Sequence, residues 1–311
     1  MRRVTEEDYL HYLKSKGEVE VEGEIVKLKP LEVRRLHPEE GELTDVSTTV
    51  WSFPKRGKWA THAGDYRGNW PPQLVRALLL LYTSEGETVL DPMVGSGTTC
   101  VEAKLLGRNC IGVDVREEAA MLTLHRLYWL DRAIEATPGA EEARKARVEV
   151  YVGDVRDLRP LGDESVDMVA THPPYFNIIR YGRAENGDMS RARDMITYLG
   201  MLRAGFREVN RVLKTGKHFA LLIGDTRRKR HYVPISHYAL FLALEEGFVL
   251  REEIIKVQHR MKTTMEVWSK LRRDFLLIKH EKLFVFRKPS RTELRTLGSS
   301  AKQSFLRFDD V

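Results

Sequence analysis

The chain has 311 residues, of which 42% are hydrophobic and 31% are charged. This mixture supports a sizeable buried core, and it excludes both low-complexity proteins and proteins with membrane-spanning segments. The net charge of +6 favours a polyanionic partner such as nucleic acid.

Residues 1–48 are expected to form a small N-terminal appendage and a linker. A helical pattern covers residues 6–14, and hydrophobic and charged residues then alternate from Val19 to Leu28, which predicts a strand or a hairpin. No apolar run follows the basic residues at the start, so a secretory signal is not expected and the cytoplasm is the default location.

Residues 51–72 hold three of the five tryptophans, interleaved with lysine and arginine. Such a segment is suited to stacking on bases and contacting phosphates, which makes Trp59, Arg67 and Trp70 candidate substrate-binding residues. An ordered loop that packs its tryptophans onto the core would have the same composition. The position of the segment just before the strand described next favours the binding role.

The chain is organised around residues 88–99, where an apolar strand ends in Asp91 and leads through Gly95-Ser96-Gly97 into a helix. A turn without side chains lets backbone N–H groups approach a ligand closely. The following strand, 109–113, ends in Asp114, at the spacing of an acid that binds ribose hydroxyls. We expect a nucleotide-like cofactor between these two acids.

The spacing narrows the choice of cofactor. Cys100 occupies the position of the third glycine of a dinucleotide fingerprint, and the Gly-Lys-Ser/Thr of a triphosphate loop is missing. S-adenosylmethionine is the common ligand that remains, although a plain strand-to-helix turn is an alternative. Cys100 and Cys110 are expected to be small buried thiols, with neither a disulfide nor a metal.

Two further strand ends carry polar residues. Asp154 follows the strand 148–152, where it would either accept a hydrogen bond from an adenine amino group or cap a turn. The strand 166–170 leads into Thr171-His172-Pro173-Pro174-Tyr175-Phe176. Paired prolines remove two N–H donors, so their carbonyl groups are available to a substrate, beside the flat faces of Tyr175 and Phe176. In open α/β sheets these strand ends border one crevice.

Together, Asp91-Pro92-x-x-Gly95-Ser96-Gly97-Thr98-Thr99 and x-Pro173-Pro174-Tyr175 resemble the two motifs of the nucleic-acid amino-methyltransferases, which methylate cytosine N4 or adenine N6. The resemblance extends over residues 51–289. It implies an α/β fold with a Rossmann-like, seven-stranded, mostly parallel sheet of the class I methyltransferases. A methyltransferase domain over 49–290 and a tail over 291–311 are expected. The strands are expected at 87–91, 109–113, 148–152, 166–170, 218–223, 248–256 and 275–286.

The resemblance also implies roles for residues. Asp91, Gly95, Ser96 and Gly97 would hold the methionine end of S-adenosylmethionine, Asp114 its ribose and Asp154 its adenine. The side chain of His172 and the carbonyl of Pro173 would accept hydrogen bonds from the target amino group, with Pro174 beside them, while Tyr175 would stack on the base. The chain departs from the family at His172, where serine, aspartate or asparagine is usual. The nitrogen would attack the methyl group directly.

The substrate is expected to be a nucleic acid, and RNA is slightly favoured over DNA. Little chain remains for reading a duplex, whereas an unpaired base in structured RNA needs less recognition. Phe176, Arg228 and Trp268 complete the candidate substrate-binding set. A DNA-modifying enzyme, an inactive nucleic-acid-binding relative and a protein glutamine methyltransferase are the alternatives. Few asparagines and glutamines occur, as in heat-adapted proteins.

Overall fold

A computed structural model of the protein describes residues 1–21, 24–43, 46–66, 68–176, 187–259, 274–290 and 292–293. The helices are α1 Glu6–Ser15, α2 Pro72–Tyr82, α3 Thr98–Leu105, α4 Glu117–Ala136, α5 Glu141–Lys145, α6 Met195–Val212 and α7 Ile235–Glu245. The strands are β1 Arg2–Val4, β2 Glu18–Val21, β3 Glu24–Lys27, β4 Val50–Ser52, β5 Thr88–Asp91, β6 Asn109–Asp114, β7 Val148–Val152, β8 Val166–Thr171, β9 Leu213–Ile223, β10 Thr226–Arg228, β11 His231–Val233, β12 Val249–Val257 and β13 His280–Arg287.

The main sheet has nine strands in the order β1-β7-β6-β5-β8-β9-β13-β12-β4. The five strands from β7 to β9 are parallel, and β13 is antiparallel to both of its neighbours. This confirms the predicted Rossmann-like sheet, including the antiparallel pairing of the last two strands. The last strand begins later than expected, at His280.

The two additional strands lie at the edges of the sheet. Strand β1 pairs with β7, and β4 pairs with β12. Each has three residues, too few for a visible alternation of side chains. The expected hairpin is present as β2 and β3. Strand β1 joins the main sheet, and the Tyr9 hydroxyl lies 2.8 Å from His125 Nδ1 of α4. The N-terminal segment therefore shares the core of the main sheet. A domain boundary at residue 48 stays a prediction.

Strand β5 is the point at which the order of the parallel strands reverses. It pairs with β6 on one side and with β8 on the other, and the connecting chains leave toward opposite edges. Because connections diverge there, a crevice opens beyond the carboxyl ends of the two strands. This places Asp91 and the residues after Thr171 at one cleft.

The spacing of Ile196, Leu199, Leu202, Phe206 and Val209 predicts a buried stripe on α6, but the Ile196 side chain is 84% exposed. Leu202, Phe206 and Val209 of the stripe are buried. Ile196 lies six residues before Leu202, and each residue of an α-helix turns by about 100°. Six residues therefore turn by about 600°, which leaves Ile196 roughly 120° away from the buried face. Tyr198 takes the position on that face instead.

The two cysteines do not remain separate thiols. Cys100 on α3 and Cys110 on β6 form a disulfide with a Cα–Cα distance of 5.3 Å. The expectation of no disulfide was wrong because the pairing depends on how closely α3 packs on β6. Gly112 allows that approach, since a Cβ there would lie 3.0 Å from the Cys100 sulfur.

No helix within the described ranges has the length and apolar character that crossing a membrane requires. The same residues contain no cluster of histidine, cysteine and acidic side chains arranged to hold a metal ion.

Candidate functional site

A cleft of about 770 Å³, counting the part open to solvent, lies beyond the carboxyl ends of β5 to β8. Each of these four strands contributes a polar residue at or just after its end, and these residues are Asp91, Asp114, Asp154 and His172. The sequence therefore predicted correctly which strand ends meet. The environments of these four side chains differ, and the environment of each determines its possible role.

Asp91 is buried at the base of the glycine turn. Its carboxylate accepts hydrogen bonds from the Met93 amide at 3.2 Å and from the Thr99 hydroxyl at 2.5 Å. Burial raises the pKa of Asp91 to about 7, and the neighbouring Asp114 adds to this effect. Asp91 thus connects the two ends of the turn, and a nearby positive charge would favour its ionised form.

Asp114 holds the turn from the adjacent strand. Its two oxygens accept from the amides of Gly95 and Arg116, each at 3.0 Å. Burial raises the pKa of this carboxyl group to about 6. Because each carboxylate oxygen has two lone pairs, these bonds leave capacity for a ligand hydroxyl. The sequence did not reveal this bridge between the acid and the glycine turn.

The two glycines of the turn adopt conformations that side chains disfavour. Gly95 has φ of 54° and Gly97 has φ of 82°. A Cβ at Gly97 would lie 2.9 Å from the Thr123 methyl group, and one at Gly95 would lie 3.2 Å from the Tyr66 ring. The turn therefore presents bare backbone to the cleft between packed walls, which suits a cofactor held by main-chain N–H groups.

Asp154 lies in the cleft, but its carboxylate already has partners. It accepts from the Arg156 amide at 2.9 Å and pairs with the guanidinium group of the same residue. The turn-capping role is therefore present in the structure, whereas a contact with adenine stays a prediction.

His172 follows β8 and is stacked against Trp70, with ring centroids 5.9 Å apart and an interplanar angle of 28°. Its Nε2 is hydrogen-bonded to the Tyr175 hydroxyl, which donates to Glu281 Oε1 at 2.5 Å. Burial lowers the pKa of His172 to about 4, so the ring is neutral at neutral pH. Lys256 Nζ lies 2.7 Å from the other oxygen of Glu281.

The two prolines are not equivalent, contrary to the expectation that both carbonyl groups are available. The Pro174 carbonyl accepts from the Tyr198 hydroxyl at 2.8 Å and from the Phe176 amide at 3.0 Å. Among the described residues, no donor is hydrogen-bonded to the Pro173 carbonyl. As far as the structure describes the chain, the Pro173 carbonyl is therefore the one left for a substrate.

Two predicted substrate-binding residues are core residues. Trp59 is fully buried and donates its indole N–H to Glu102 Oε1 at 2.7 Å. Phe176 is 1% exposed and packs edge-on against Tyr198. Assigning these two rings to the substrate was wrong because spacing in the sequence does not show which face of a loop turns inward. Trp70 is also largely buried, yet it lines the cleft beside His172.

Of the remaining predicted residues, the structure describes Arg228 and Tyr175. Arg228 is on the hairpin formed by β10 and β11, with its guanidinium group 4.7 Å from the centroid of the Phe176 ring. Arg67 and Trp268 lie outside the described residues. Tyr175 is not among the residues that line the cleft, whereas His172 and Pro174 are.

The sequence analysis missed the partners of Tyr175. Glu281 belongs to β13 and is 106 residues away in the chain, and Lys256 belongs to β12. In the sequence, the pair His280-Glu281 falls inside the stretch 275–286 expected as the last strand and forms no motif of its own. Nothing local in the sequence predicts that this carboxylate reaches the residues after β8.

Two family models match the chain. A family model described as DNA methylase, of the N6/N4 type, matches residues 2–124 and 166–307. A second model, described as an RMKL-like methyltransferase domain, matches residues 65–189. Among solved structures, TrmN from Thermus thermophilus is similar at 23% identity, with 71% of this chain and 50% of that chain covered and a TM-score of 0.42.

Two curated relatives are similar over shorter stretches. The type II methyltransferase M2.DpnII of Streptococcus pneumoniae is 41% identical over 78 residues, which are 25% of this chain and 29% of that protein. A tRNA (guanine(10)-N2)-dimethyltransferase of Methanothermobacter thermautotrophicus is 33% identical over 112 residues, which are 35% of this chain and 29% of that protein. The chain thus spans less than a third of either relative. Because the DNA methylase model matches most of the chain, the chain belongs to the N6/N4 DNA methylase family, and its cofactor is S-adenosylmethionine.

Proposed function

We propose that the chain transfers a methyl group from S-adenosylmethionine to the exocyclic amino group of a nucleic-acid base, and that the base is cytosine, at N4, in structured RNA such as ribosomal RNA. The observation that supports this best is the position of His172. Its neutral ring borders the same cleft as the glycine turn and precedes the Pro173 carbonyl, to which none of the described residues is hydrogen-bonded.

The glycine turn and the two acids fit the cofactor. The backbone from Gly95 to Gly97 would hold the methionine end with Asp91, and Asp114 would hold the ribose. When bound, the cofactor supplies an electrophilic methyl group on a sulfonium centre. The raised pKa values of Asp91 and Asp114 match this ligand, because a cation nearby stabilises both carboxylates.

The amino group requires two acceptors. Its lone pair is delocalised into the base, and accepting hydrogen bonds from both N–H groups localises that pair and directs it at the methyl group. A neutral imidazole offers one ring nitrogen as acceptor, and the Pro173 carbonyl offers the second. The nitrogen then attacks the methyl carbon in a direct displacement.

Tyr175 would hold the base. Its hydroxyl is hydrogen-bonded to Glu281, and its ring packs where Gly224 leaves space, since a Cβ there would lie 2.5 Å from the ring. The hydroxyl bond and the contact with Gly224 hold the ring in place, as a stacking platform requires, although Tyr175 does not line the cleft and stacking on a base stays a prediction.

The alternative substrate is DNA. It is favoured by the description of the matching family and by the type II methyltransferase relative. RNA is favoured by the tRNA-modifying relative and by the short length of chain outside the sheet and its helices. Cytosine N4 is favoured over adenine N6 because Thr171-His172-Pro173-Pro174-Tyr175 resembles Thr-Ser-Pro-Pro-Tyr, the form similar to N4-cytosine enzymes.

The test is to incubate the protein and labelled cofactor with ribosomal subunits, naked ribosomal RNA, transfer RNA and genomic DNA in parallel. Each sample is digested to nucleosides and examined by mass spectrometry, with the His172→Ala variant as control. Mono- or dimethylated N4-cytidine from an RNA sample is expected. Label confined to deoxynucleosides, or to adenine N6, would favour the DNA alternative or a different base.

A further inference from the structure

Four side chains form a buried row that leads away from the cleft behind His172. Lys256 of β12 donates to Glu281 of β13, which accepts from the Tyr175 hydroxyl, and that hydroxyl meets His172 Nε2. The side chains of His172, Lys256 and Glu281 are 10%, 13% and 7% exposed. Solvent therefore contributes little to the hydrogen bonds of this row.

The positions of the protons follow from the donors. Burial alone would raise the pKa of Glu281, but the charge of Lys256 and the hydrogen bonds from Lys256 and Tyr175 hold it below its ordinary value, so the carboxylate is ionised and only accepts. The single hydroxyl proton of Tyr175 must then point to Glu281. As a result, the tyrosine oxygen accepts from His172, and the proton of this neutral ring is on Nε2.

We infer that Glu281 and Lys256 are positioning residues that hold His172 in the Nε2–H tautomer, so that Nδ1 is the acceptor for the substrate amino group. This inference rests on the proposed function. His172 Nδ1 is buried and has no hydrogen-bond partner among the described residues. The Gly68 backbone lies beside the ring and partly offsets the lowering of the His172 pKa by burial, but none of the described residues forms a hydrogen bond of normal geometry with Nδ1, and Trp70 covers one face of the ring.

The same reasoning explains how a histidine can replace the usual serine, aspartate or asparagine. Those side chains present an acceptor oxygen in any state available to them at neutral pH, whereas a neutral imidazole presents a donor on one nitrogen and an acceptor on the other. A histidine is useful here only if its tautomer is controlled. The ionised Glu281, acting through Tyr175, provides that control.

The Glu281→Gln variant should reverse the direction of the hydrogen bonds between Tyr175 and His172. Lys256 only donates, so the amide oxygen of the new side chain faces Lys256 and its NH₂ group faces Tyr175. The tyrosine hydroxyl then turns to His172 Nε2, and the ring proton moves to Nδ1. We expect kcat to fall roughly 10²-fold, because an acceptor has become a donor, with the cofactor Kd unchanged.

The decisive readout is the tautomer of His172 in the full chain. Nitrogen NMR of protein labelled on histidine is recorded without substrate, and the His172→Gln variant identifies the signals. The expected result is Nε2–H in the wild type and Nδ1–H in Glu281→Gln. Tyr175→Phe, which keeps the ring and removes the hydroxyl, is a second variant and should give a mixture of the two tautomers.

A matched control comes from the same pair of strands. Glu253 of β12 pairs with Lys282 of β13 at 2.9 Å, so Glu253→Gln removes an equivalent carboxylate without touching the row. It should leave both tautomer and kcat unchanged. In the double variant Lys256→Met/Glu281→Gln, no lysine donates to the amide, so the amide oxygen is free to turn to Tyr175. We expect the Nε2–H tautomer of His172 and part of the turnover to return.

The outcomes separate this inference from the proposed function. A proton on Nδ1 in the wild type would overturn the inference whether or not methyl transfer occurs. An unchanged kcat in Glu281→Gln, together with an inverted tautomer, would also overturn it, because Nδ1 would then not be the acceptor. If the tautomers behave as expected but no nucleic acid is methylated, the control by Glu281 stands and the proposed function fails.

Discussion

The cofactor side and the base side of the cleft are built in different ways. On the cofactor side, Asp91, the glycine turn and Asp114 bond to one another within a span of 26 residues, from Asp91 to Arg116. On the base side, His172 and Tyr175 depend on Trp70, Lys256 and Glu281, which are far away in the chain. This difference means that the two halves should fail independently when they are mutated.

The largest expected effect comes from removing the acceptor on the base side. His172→Ala should lower turnover by about 10²- to 10⁴-fold while leaving cofactor affinity nearly intact. The measurements are kcat on the RNA substrate and the Kd for S-adenosylmethionine by calorimetry. Tyr175→Ala should behave in the same way. A parallel loss of cofactor binding in either variant would mean that the two sides are not separable.

Asp114→Ala is the matching change on the cofactor side. It removes both the proposed ribose acceptor and the acceptor of the Gly95 amide, so cofactor binding should weaken by about 1–3 kcal/mol. Calorimetry measures this directly, and Asp157→Ala, an acid outside the cleft, is the control. An unchanged Kd in Asp114→Ala would exclude this residue from the site.

These differences explain what the sequence could predict. The sheet, the helices after β5 and β6, and the four polar strand ends follow from local periodicity and from the rule that ligands bind at a switch in strand order. The edge strands β1 and β4, the link between Glu281 and Tyr175 and the burial of Trp59 depend on contacts between distant segments. No short-range pattern encodes them.

The role of Trp59 tests this distinction on a single residue. As a core residue bonded to the fully buried Glu102, it should matter for stability and not for the substrate. We expect Trp59→Phe to lower the free energy of unfolding by about 1–3 kcal/mol, because the carboxylate loses a donor. Denaturant unfolding gives this value. A selective loss of nucleic-acid affinity, with unfolding unchanged, would restore Trp59 to the substrate side.

The last expected effect is a pH dependence limited to the cofactor side. The pKa values of about 7 for Asp91 and about 6 for Asp114 mean that binding a cation releases protons below these values. The affinity for S-adenosylmethionine should therefore rise with pH up to about 7, by at most about tenfold per unit for each proton released, and then level off. S-adenosylhomocysteine lacks the sulfonium charge and should show little of this trend. Equal pH dependence of both ligands would contradict the assignment.

The central claim is that the cleft methylates the amino group of a base through an acceptor at His172. The most direct measurement is a single-turnover reaction of wild type and His172→Ala, both saturated with labelled cofactor, on ribosomal RNA. Nucleosides are then identified by mass spectrometry. The account predicts N4-methylcytidine from the wild type and almost none from the variant at equal cofactor occupancy. Equal yields from both proteins, or label on a ring carbon instead of an exocyclic nitrogen, would contradict it.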